Sequence, residues 1–227
     1  MKIIFLNAWN AKVRDDITVY INAQIPTTDV FCFQEAYDDM KALCAELLSE
    51  YEAYTDYKFV TEDDDFPQAT YVRKHIPVRS SGSILKDQPN CGLGLYVEVE
   101  QDSQSTFICN FHGMSRPVDK RDEPNRLTQS KTLIDFFKSE DRVVIGGDFN
   151  LFPDTNSIRR FDEGGYRDLI KEFDIKTTRN QISWDMYPNS NQYFADYVFV
   201  SPSISLRKFI VPDNQISDHL PLEVEID

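Results

Sequence analysis

Short apolar runs that stop abruptly on polar residues recur along this chain. Residues 2–6 and 29–33 read as buried strands, and they are followed directly by Asn7 and by Gln34-Glu35. Amide and carboxylate groups are costly to hold near an apolar core without partners. Strands that end on such groups therefore indicate a functional site at their ends.

The clearest example begins at residues 143–145, an apolar run that continues through two glycines to Asp148, Phe149 and Asn150. Side chains alternate along an extended chain, so Asp148 and Asn150 are expected on the same side. This stretch predicts a strand that presents a carboxylate and an amide together.

The remaining periodicity predicts a mixture of helices and strands. Helical spacing predicts helices at 15–24, 38–49, from about 125, at 156–161 and at 166–173. Alternating or β-branched runs predict strands at 51–59, 69–72, 82–85, 93–99, 106–111, 194–200 and 204–211, and a last strand after residue 219. We expect 69–72 to 106–111 to form an antiparallel meander, and 174–193 to be irregular. With no linker or repeat, the pattern predicts one α+β domain over 1–227.

Composition and charge narrow the classes of function. The chain has 227 residues, of which 41% are hydrophobic, enough for a sizeable core. Its 24 basic and 38 acidic residues give a net charge of −14. Non-specific binding to a nucleic-acid duplex depends on basic residues, so this charge disfavours that activity. A local basic groove or a bound metal ion stays compatible with it.

The cysteines and the N-terminal residues bear on location. No C-x-x-C pair occurs, so a zinc site is not expected, and Cys32 and Cys109 are predicted to be free buried thiols. The apolar run at 3–6 is too short for a signal sequence or a membrane span. We expect a cytoplasmic monomer without a membrane span.

The polar strand-end residues form a chemically consistent set, to which Asp196 is added as a carboxylate inside an apolar strand. The set is Asn7, Glu35, His112, Asp148, Asn150, Asp196, Asp218 and His219. Carboxylate and amide oxygens without thiolates suit Mg²⁺ or Mn²⁺. The two histidines can transfer protons, and Asp196 can orient an imidazole. No nucleotide-binding glycine loop, G-x-S-x-G or H-E-x-x-H motif is present.

The most basic stretch of the chain lies at 116–131, between His112 and the strand that leads to Asp148. It is either an ordinary helix surface or a phosphate-facing patch. Arg116 from this stretch and Arg179 are candidates for binding a substrate phosphate.

These pieces resemble the endonuclease/exonuclease/phosphatase superfamily. The matching segments are Leu6-Asn7, Gln34-Glu35, Asn110-Phe111-His112, Gly147-Asp148-Phe149-Asn150, Ala195 to Ser201, and Ser217-Asp218-His219-Leu220-Pro221. They span nearly the whole chain, and Gly-Asp-Phe-Asn followed by Ser-Asp-His-x-Pro is a strong joint signal. The resemblance implies a four-layer α/β sandwich, in which two mostly antiparallel sheets pack together with helices outside.

The resemblance also implies roles for the site residues. Glu35 would be the main metal ligand, helped by Asn7 and Asp218. Asp148 and Asn150 would position the attacking water and the phosphate. His219, oriented by Asp196, would act on the water or on the phosphoryl oxygens, and His112 would contact the phosphate or assist the leaving group.

The expected function is magnesium-dependent hydrolysis of a phosphodiester by in-line attack of water, by a nuclease or a nucleotide-linked phosphodiesterase. Single-stranded nucleic acid and small phosphodiesters are the candidate substrates. Two alternatives stay open: a phosphomonoesterase or phospholipase-type enzyme acting on a sugar, inositol or lipid phosphate, and a catalytically silent phosphate-binding relative. Trp9 stands where some nucleases carry an Asp for a second metal, which argues against a two-metal site.

Overall fold

Two six-stranded β-sheets form the centre of the fold. The computed structural model of the chain describes residues 1–62, 64–101, 103–188 and 192–227. The strands are β1 (Lys2–Asn7), β2 (Val30–Gln34), β3 (Tyr51–Thr61), β4 (Asp64–Arg73), β5 (Val78–Ile84), β6 (Leu93–Gln101), β7 (Gln104–His112), β8 (Val143–Asp148), β9 (Arg167–Asp168), β10 (Asp196–Val200), β11 (Leu206–Ile210) and β12 (Leu222–Ile226). The helices are α1 (Arg14–Gln24), α2 (Asp38–Leu47), α3 (Pro124–Phe137), α4 (Asn156–Glu163), α5 (Leu169–Glu172) and α6 (Gln181–Met186).

The two sheets pack against each other, with helices on their outer faces. The strand order is β11-β12-β1-β2-β4-β3 in the first sheet and β5-β6-β7-β8-β10-β9 in the second. Only the pairs β1–β2 and β7–β8 are parallel among the described pairings. The predicted α+β sandwich with mostly antiparallel sheets is confirmed.

Alternation along β1 shows how the sequence builds the layers. Ile3 and Phe5 belong to the core that also contains residues of the second sheet, whereas Ile4 and Leu6 pack among side chains from α1 and α2. Leu133 and Phe137 of α3 join the core on the side of the second sheet. A strand that is apolar on both faces can lie between a helix layer and another sheet, which is the position of β1.

In each parallel pair the carboxyl ends of the two strands lie side by side at the same edge of the sheet. In the register of β1 and β2, Asn7 is opposite Gln34, and in that of β7 and β8, His112 is opposite Asp148. Helices α1 and α3 are the crossover connections. The fold thereby brings together the polar ends of β1, β2, β7 and β8, which are far apart in the sequence.

Three local predictions are wrong. The segment 69–72 belongs to β4, which pairs with β2 and β3 in the first sheet, whereas the other three strands of the expected meander form β5-β6-β7 of the second sheet. The helix expected at 166–173 is reduced to α5, because Arg167–Asp168 pairs with β10 instead. The region expected to be irregular at 174–193 contains α6, and its residues 189–191 lie outside the described part.

Two further expectations can be compared directly with the structure. Cys32 and Cys109 are free and buried, as predicted, and so are Cys44 and Cys91. None of the described helices is long and apolar enough to cross a membrane.

The two glycines before Asp148 allow close contacts that other residues would block. A Cβ at Gly146 would lie 2.7 Å from the ring of Phe5, so this glycine lets the two sheets approach each other. Gly147 has φ +131°, and a Cβ there would lie 2.2 Å from the Phe111 carbonyl oxygen. Gly147 thus adopts a backbone conformation that L side chains rarely reach.

We expect Gly146→Ala to lower the free energy of unfolding by about 1–3 kcal/mol, because the added methyl group overpacks the Phe5 contact. Phe5→Leu in the same chain should relieve that clash, so the double variant should lose less stability than the two single losses added together. Urea denaturation of the four proteins measures this. If the double variant lost as much stability as the two single variants together, the predicted contact between Gly146 and Phe5 would be contradicted.

Candidate active site

A cavity of about 870 Å³ lies at the carboxyl ends of the parallel strand pairs. Eight of the ten residues proposed from the sequence line it: Glu35, His112, Arg116, Asp148, Asn150, Arg179, Asp218 and His219. The other two, Asn7 and Asp196, are buried and hydrogen-bonded to members of that set. The structure therefore brings all ten residues to one place.

Asn7 connects the ends of the two sheets. Its Nδ2 donates to Glu35 Oε1 at 3.0 Å and to Asp148 Oδ2 at 3.1 Å, and its Oδ1 accepts from the Trp9 backbone N–H at 3.1 Å. Asn7 is completely buried. One amide therefore holds a carboxylate from each sheet at the floor of the cavity.

Two site residues adopt the left-handed backbone conformation, Glu35 with φ 51° and Asn150 with φ 54°. Asparagine is found there more often than other non-glycine residues, whereas a glutamate in this region is unusual. The Asn150 backbone N–H donates to Asp148 Oδ1 at 2.9 Å, which ties the turn to the carboxylate. Such conformations are unfavourable and are often kept where they aim a side chain into a site.

His219 and Asp196 form a buried pair. His219 Nδ1 lies 2.8 Å and 3.0 Å from the two Asp196 carboxylate oxygens, and His219 Nε2 lies 3.6 Å from Asp148 Oδ2. The Asp196 backbone N–H donates to Thr178 Oγ1 at 3.2 Å. Since Asp196 holds Nδ1, the other ring nitrogen is the one left to face the cavity.

Asp148, Asp196 and His219 are also close enough to hold a metal ion, because one potential ligand atom from each lies within 4.8 Å of the others. Both Asp196 oxygens already contact the His219 ring, however. Glu35 and Asp218 also offer carboxylate oxygens in the cavity, and no imidazole of the described residues lies within hydrogen-bond distance of them. Two arrangements of a cation are therefore chemically available at this site.

Opposite charges set the electrostatics of the cavity. Burial alone would raise the pKa of Asp148, but positive charge on His219, His112, Lys120 and Arg179 outweighs it, and the pKa is lowered. Burial and Arg179 act to lower the pKa of His219, but the carboxylates of Asp196, Asp218 and Asp148 raise it overall. The site favours a carboxylate at Asp148 beside a positively charged imidazole.

His112 packs at the side of this cluster. Its ring meets Phe66 edge-on with centroids 5.1 Å apart, and its Nε2 lies 3.8 Å from Asp148 Oδ2. Its Nδ1 is buried without a hydrogen-bond partner among the described residues. The His112 ring lines the cavity beside Asp148.

The two arginines proposed from the sequence occupy different depths. Arg179 is buried, and its Nη1 donates to Asp218 Oδ2 at 2.8 Å. Burial would lower the pKa of Arg179, but Asp218 and the other carboxylates raise it. Arg116 is exposed at the rim.

Sequence reasoning missed Lys120 as a member of the site. Its side chain is buried in the cavity wall, and its Nζ donates to Asn150 Oδ1 at 3.0 Å. The basic composition of 116–131 was the available signal. It could not single out Lys120, because this lysine follows no strand and its burial depends on distant parts of the chain.

Comparison with known proteins identifies a family that this chain matches over most of its length. A family model described as the Endonuclease/Exonuclease/phosphatase family matches residues 5–219. Sphingomyelinase C 2 of Leptospira interrogans is 25% identical over 213 residues, which cover 79% of this chain and 34% of that protein. The chain thus spans about a third of the length of this relative.

Solved structures show the same fold at low sequence identity. Truncated Caenorhabditis elegans TDP2 superposes with a TM-score of 0.73 at 19% identity, covering 99% of this chain and 96% of that one. The human nocturnin catalytic domain gives 0.73 at 16% identity, covering 100% and 93%. A mannosyl-6-phosphatase of Bacteroides thetaiotaomicron gives 0.73 at 18% identity, covering 100% and 99%.

The buried ion pair predicts a difference between two arginine variants. Arg179→Met should lower the free energy of unfolding by about 3–5 kcal/mol, because it leaves Asp218 buried without its cation. Arg121→Met, which breaks an exposed ion pair with Asp154, is the matched control and should change stability little. Urea denaturation in the presence of a chelator measures both. An equal loss of unfolding free energy in the two variants would contradict a stabilising role for the buried Arg179–Asp218 ion pair.

Proposed function

This chain belongs to the endonuclease/exonuclease/phosphatase family, whose members hydrolyse phosphoric esters, and we propose that it is a divalent-metal-dependent phosphodiesterase. The observation that carries the proposal is the buried His219–Asp196 pair beside Asp148. His219 Nδ1 lies 2.8 Å from Asp196 Oδ1, and His219 Nε2 lies 3.6 Å from Asp148 Oδ2. A domain that only bound phosphate would not need an oriented imidazole next to a second buried carboxylate.

In the proposed reaction a water attacks phosphorus in line with the bond to the leaving alcohol. Asp148 accepts a hydrogen bond from this water, and Asn150 holds the phosphate beside it. His219 is fixed through Nδ1 by Asp196 and turns Nε2 toward the phosphoryl oxygens. The water oxygen bonds to phosphorus while its proton passes to Asp148, the bond to the leaving group breaks, and the leaving alkoxide takes up a proton from solvent. Asp148 then returns its proton to solvent.

The carboxylates that line the cavity fit a hard divalent cation such as Mg²⁺ or Mn²⁺. Glu35 and Asp218 would hold it through carboxylate oxygens. Asn7, whose amide group already contacts Glu35, would support it or join the ligand set after rotating its amide. A cation bound there would neutralise negative charge that develops on the phosphoryl oxygens. Asp196 would then remain the partner of His219 and stay outside the ligand set.

His112 and the arginines complete the proposed substrate site. His112 lines the cavity beside Asp148 and Phe66, where it would contact the phosphate or the leaving group. Arg179, whose charge also balances the carboxylates, would contact the phosphate inside the cavity, and Arg116 would contact it at the rim.

The walls of the cavity favour a compact substrate over a long duplex. Acidic residues Asp64, Asp65 and Asp119 line it, and the chain carries a net charge of −14. Repulsion from these groups opposes a polyanion that extends beyond one phosphate. Single-stranded ends and small phosphodiesters are the substrates that we propose.

A lipid phosphodiester is the second candidate, favoured by the similarity to the protein named sphingomyelinase C 2. Val118 and Tyr187 also place exposed apolar surface at the cavity wall, with exposed fractions of 58% and 54%. An apolar group attached to the phosphate could contact this surface.

We expect the purified protein to hydrolyse bis-p-nitrophenyl phosphate with Mg²⁺ or Mn²⁺ and to lose activity with a chelator. Asp148→Asn and His219→Ala should each lower kcat/KM by about 10²–10⁴-fold, since each removes a group placed at the reacting phosphate. His75→Ala is the matched control, because His75 is exposed and does not line the cavity. Metal-independent turnover, or activity unaffected by either site variant, would overturn the proposal.

A panel of substrates tests the proposed preference for small or single-stranded phosphodiesters over duplex nucleic acid. With Mg²⁺ present, we expect kcat/KM for a small phosphodiester or a single-stranded oligonucleotide to exceed that for a duplex of the same sequence, by about tenfold or more at low salt. The difference should shrink as salt screens the acidic walls. Faster cleavage of sphingomyelin than of every nucleotide substrate would favour the lipid alternative.

A further inference from the structure

Lys120 is a buried cation with unused hydrogen-bonding capacity. It is only 4% exposed, yet it lines the cavity. An ammonium group has three donors, and among the described residues Nζ has one acceptor, Asn150 Oδ1. No ion pair joins it to a carboxylate in the part of the chain that the structure describes, although Asp148 and Asp218 line the same cavity.

The fold holds this lysine in place from several directions. Lys120 has φ 53°, an unfavourable conformation for a side chain of its size. Its carbonyl oxygen accepts from the Phe152 backbone N–H at 3.1 Å, and Phe152 follows the turn that carries Asn150. The loop is thus attached to the turn that carries Asn150 through both the Lys120 backbone and the Lys120 side chain.

Arg126 fixes the rest of the Lys120 loop. This arginine is completely buried in α3. Its guanidinium donates to the carbonyl oxygens of Arg121 at 2.7 Å and Pro117 at 2.6 Å, with longer bonds to Met114 and Ser115. Arg126 therefore binds carbonyl oxygens on both sides of Lys120 and fixes the position of the loop that carries it.

Lys120 has no direct anionic partner among the described residues. Burial, together with the charge of Arg179, lowers the pKa of Lys120 to about 7, although the nearby carboxylates act in the opposite direction. A buried charge without an ion-pair partner is costly. A phosphate oxygen in the cavity would supply a direct anionic acceptor for the ammonium group.

We propose that Lys120 is a substrate-binding residue that donates from Nζ to a non-bridging oxygen of the phosphoryl group, while Asn150 orients it. The inference rests on the proposed function and adds to it a second phosphate-binding cation beside Arg179. Lys120 is held by its hydrogen bond to Asn150, whereas Arg179 is held by its hydrogen bond to Asp218. The two cations are therefore positioned by different residues.

The test is binding of inorganic phosphate, measured by isothermal titration calorimetry with saturating Mg²⁺ and again with a chelator. Lys120→Met should bind phosphate about tenfold to a hundredfold more weakly than the unsubstituted protein, because a charged hydrogen bond is lost. Lys120→Arg should recover part of the affinity. Lys171→Met removes the same charge at an exposed position outside the cavity and should bind phosphate as the unsubstituted protein does.

A stability readout separates binding from a structural role. If Lys120 serves the substrate, Lys120→Met should unfold at the same or a higher temperature, since a buried unpaired charge is replaced by an apolar chain of similar length. A lower unfolding temperature together with unchanged phosphate affinity would assign Lys120 a structural role and overturn the inference.

Unchanged phosphate affinity in Lys120→Met, an equal loss in Lys171→Met, or no phosphate binding by the unsubstituted protein in either condition would also overturn the inference. Phosphate binding requires no turnover. Lys120-dependent binding without hydrolysis of any diester would therefore contradict the phosphodiesterase proposal and leave the role of Lys120 supported.

Discussion

The contact between Asn7 and Asp148 is the constraint on which the site depends. It joins the end of β1 in the first sheet to the end of β8 in the second, at 3.1 Å, and the same amide group holds Glu35. Polar groups can meet at this depth only if they satisfy one another. The two parallel strand pairs bring them there, and Gly146 lets Phe5 pack closely beneath them.

Charge balance is the second requirement of this arrangement. Six carboxylates and five potentially cationic side chains line one cavity. The proximity of opposite charges lowers the pKa of Asp148 and raises that of His219. The chain as a whole is strongly acidic. Binding of a phosphate therefore depends on cations that the fold concentrates locally, among which Arg179 and Lys120 are buried.

Much of the site could be predicted from the sequence, because strand ends are visible as apolar runs that stop on polar residues. Asn7, Glu35 and Asp148 were found in this way. Lys120 was not, because its burial is imposed by Arg126 and by the Asn150 turn. The fold class followed from the mixed periodicity and the family resemblance. The sheet that contains residues 69–72 and the two-residue strand at Arg167–Asp168 depend on pairing with distant strands, which local patterns do not encode.

The position of the metal ion relative to the His219–Asp196 pair is the central claim, and a crystal structure with Mn²⁺ and inorganic phosphate tests it most directly. The anomalous signal of Mn²⁺ distinguishes the two possible arrangements. We expect the signal beside Glu35 and Asp218, with the His219–Asp196 hydrogen bond intact and the phosphate in contact with Asn150. Mn²⁺ bound between Asp148, Asp196 and His219, with that hydrogen bond broken, would contradict the account.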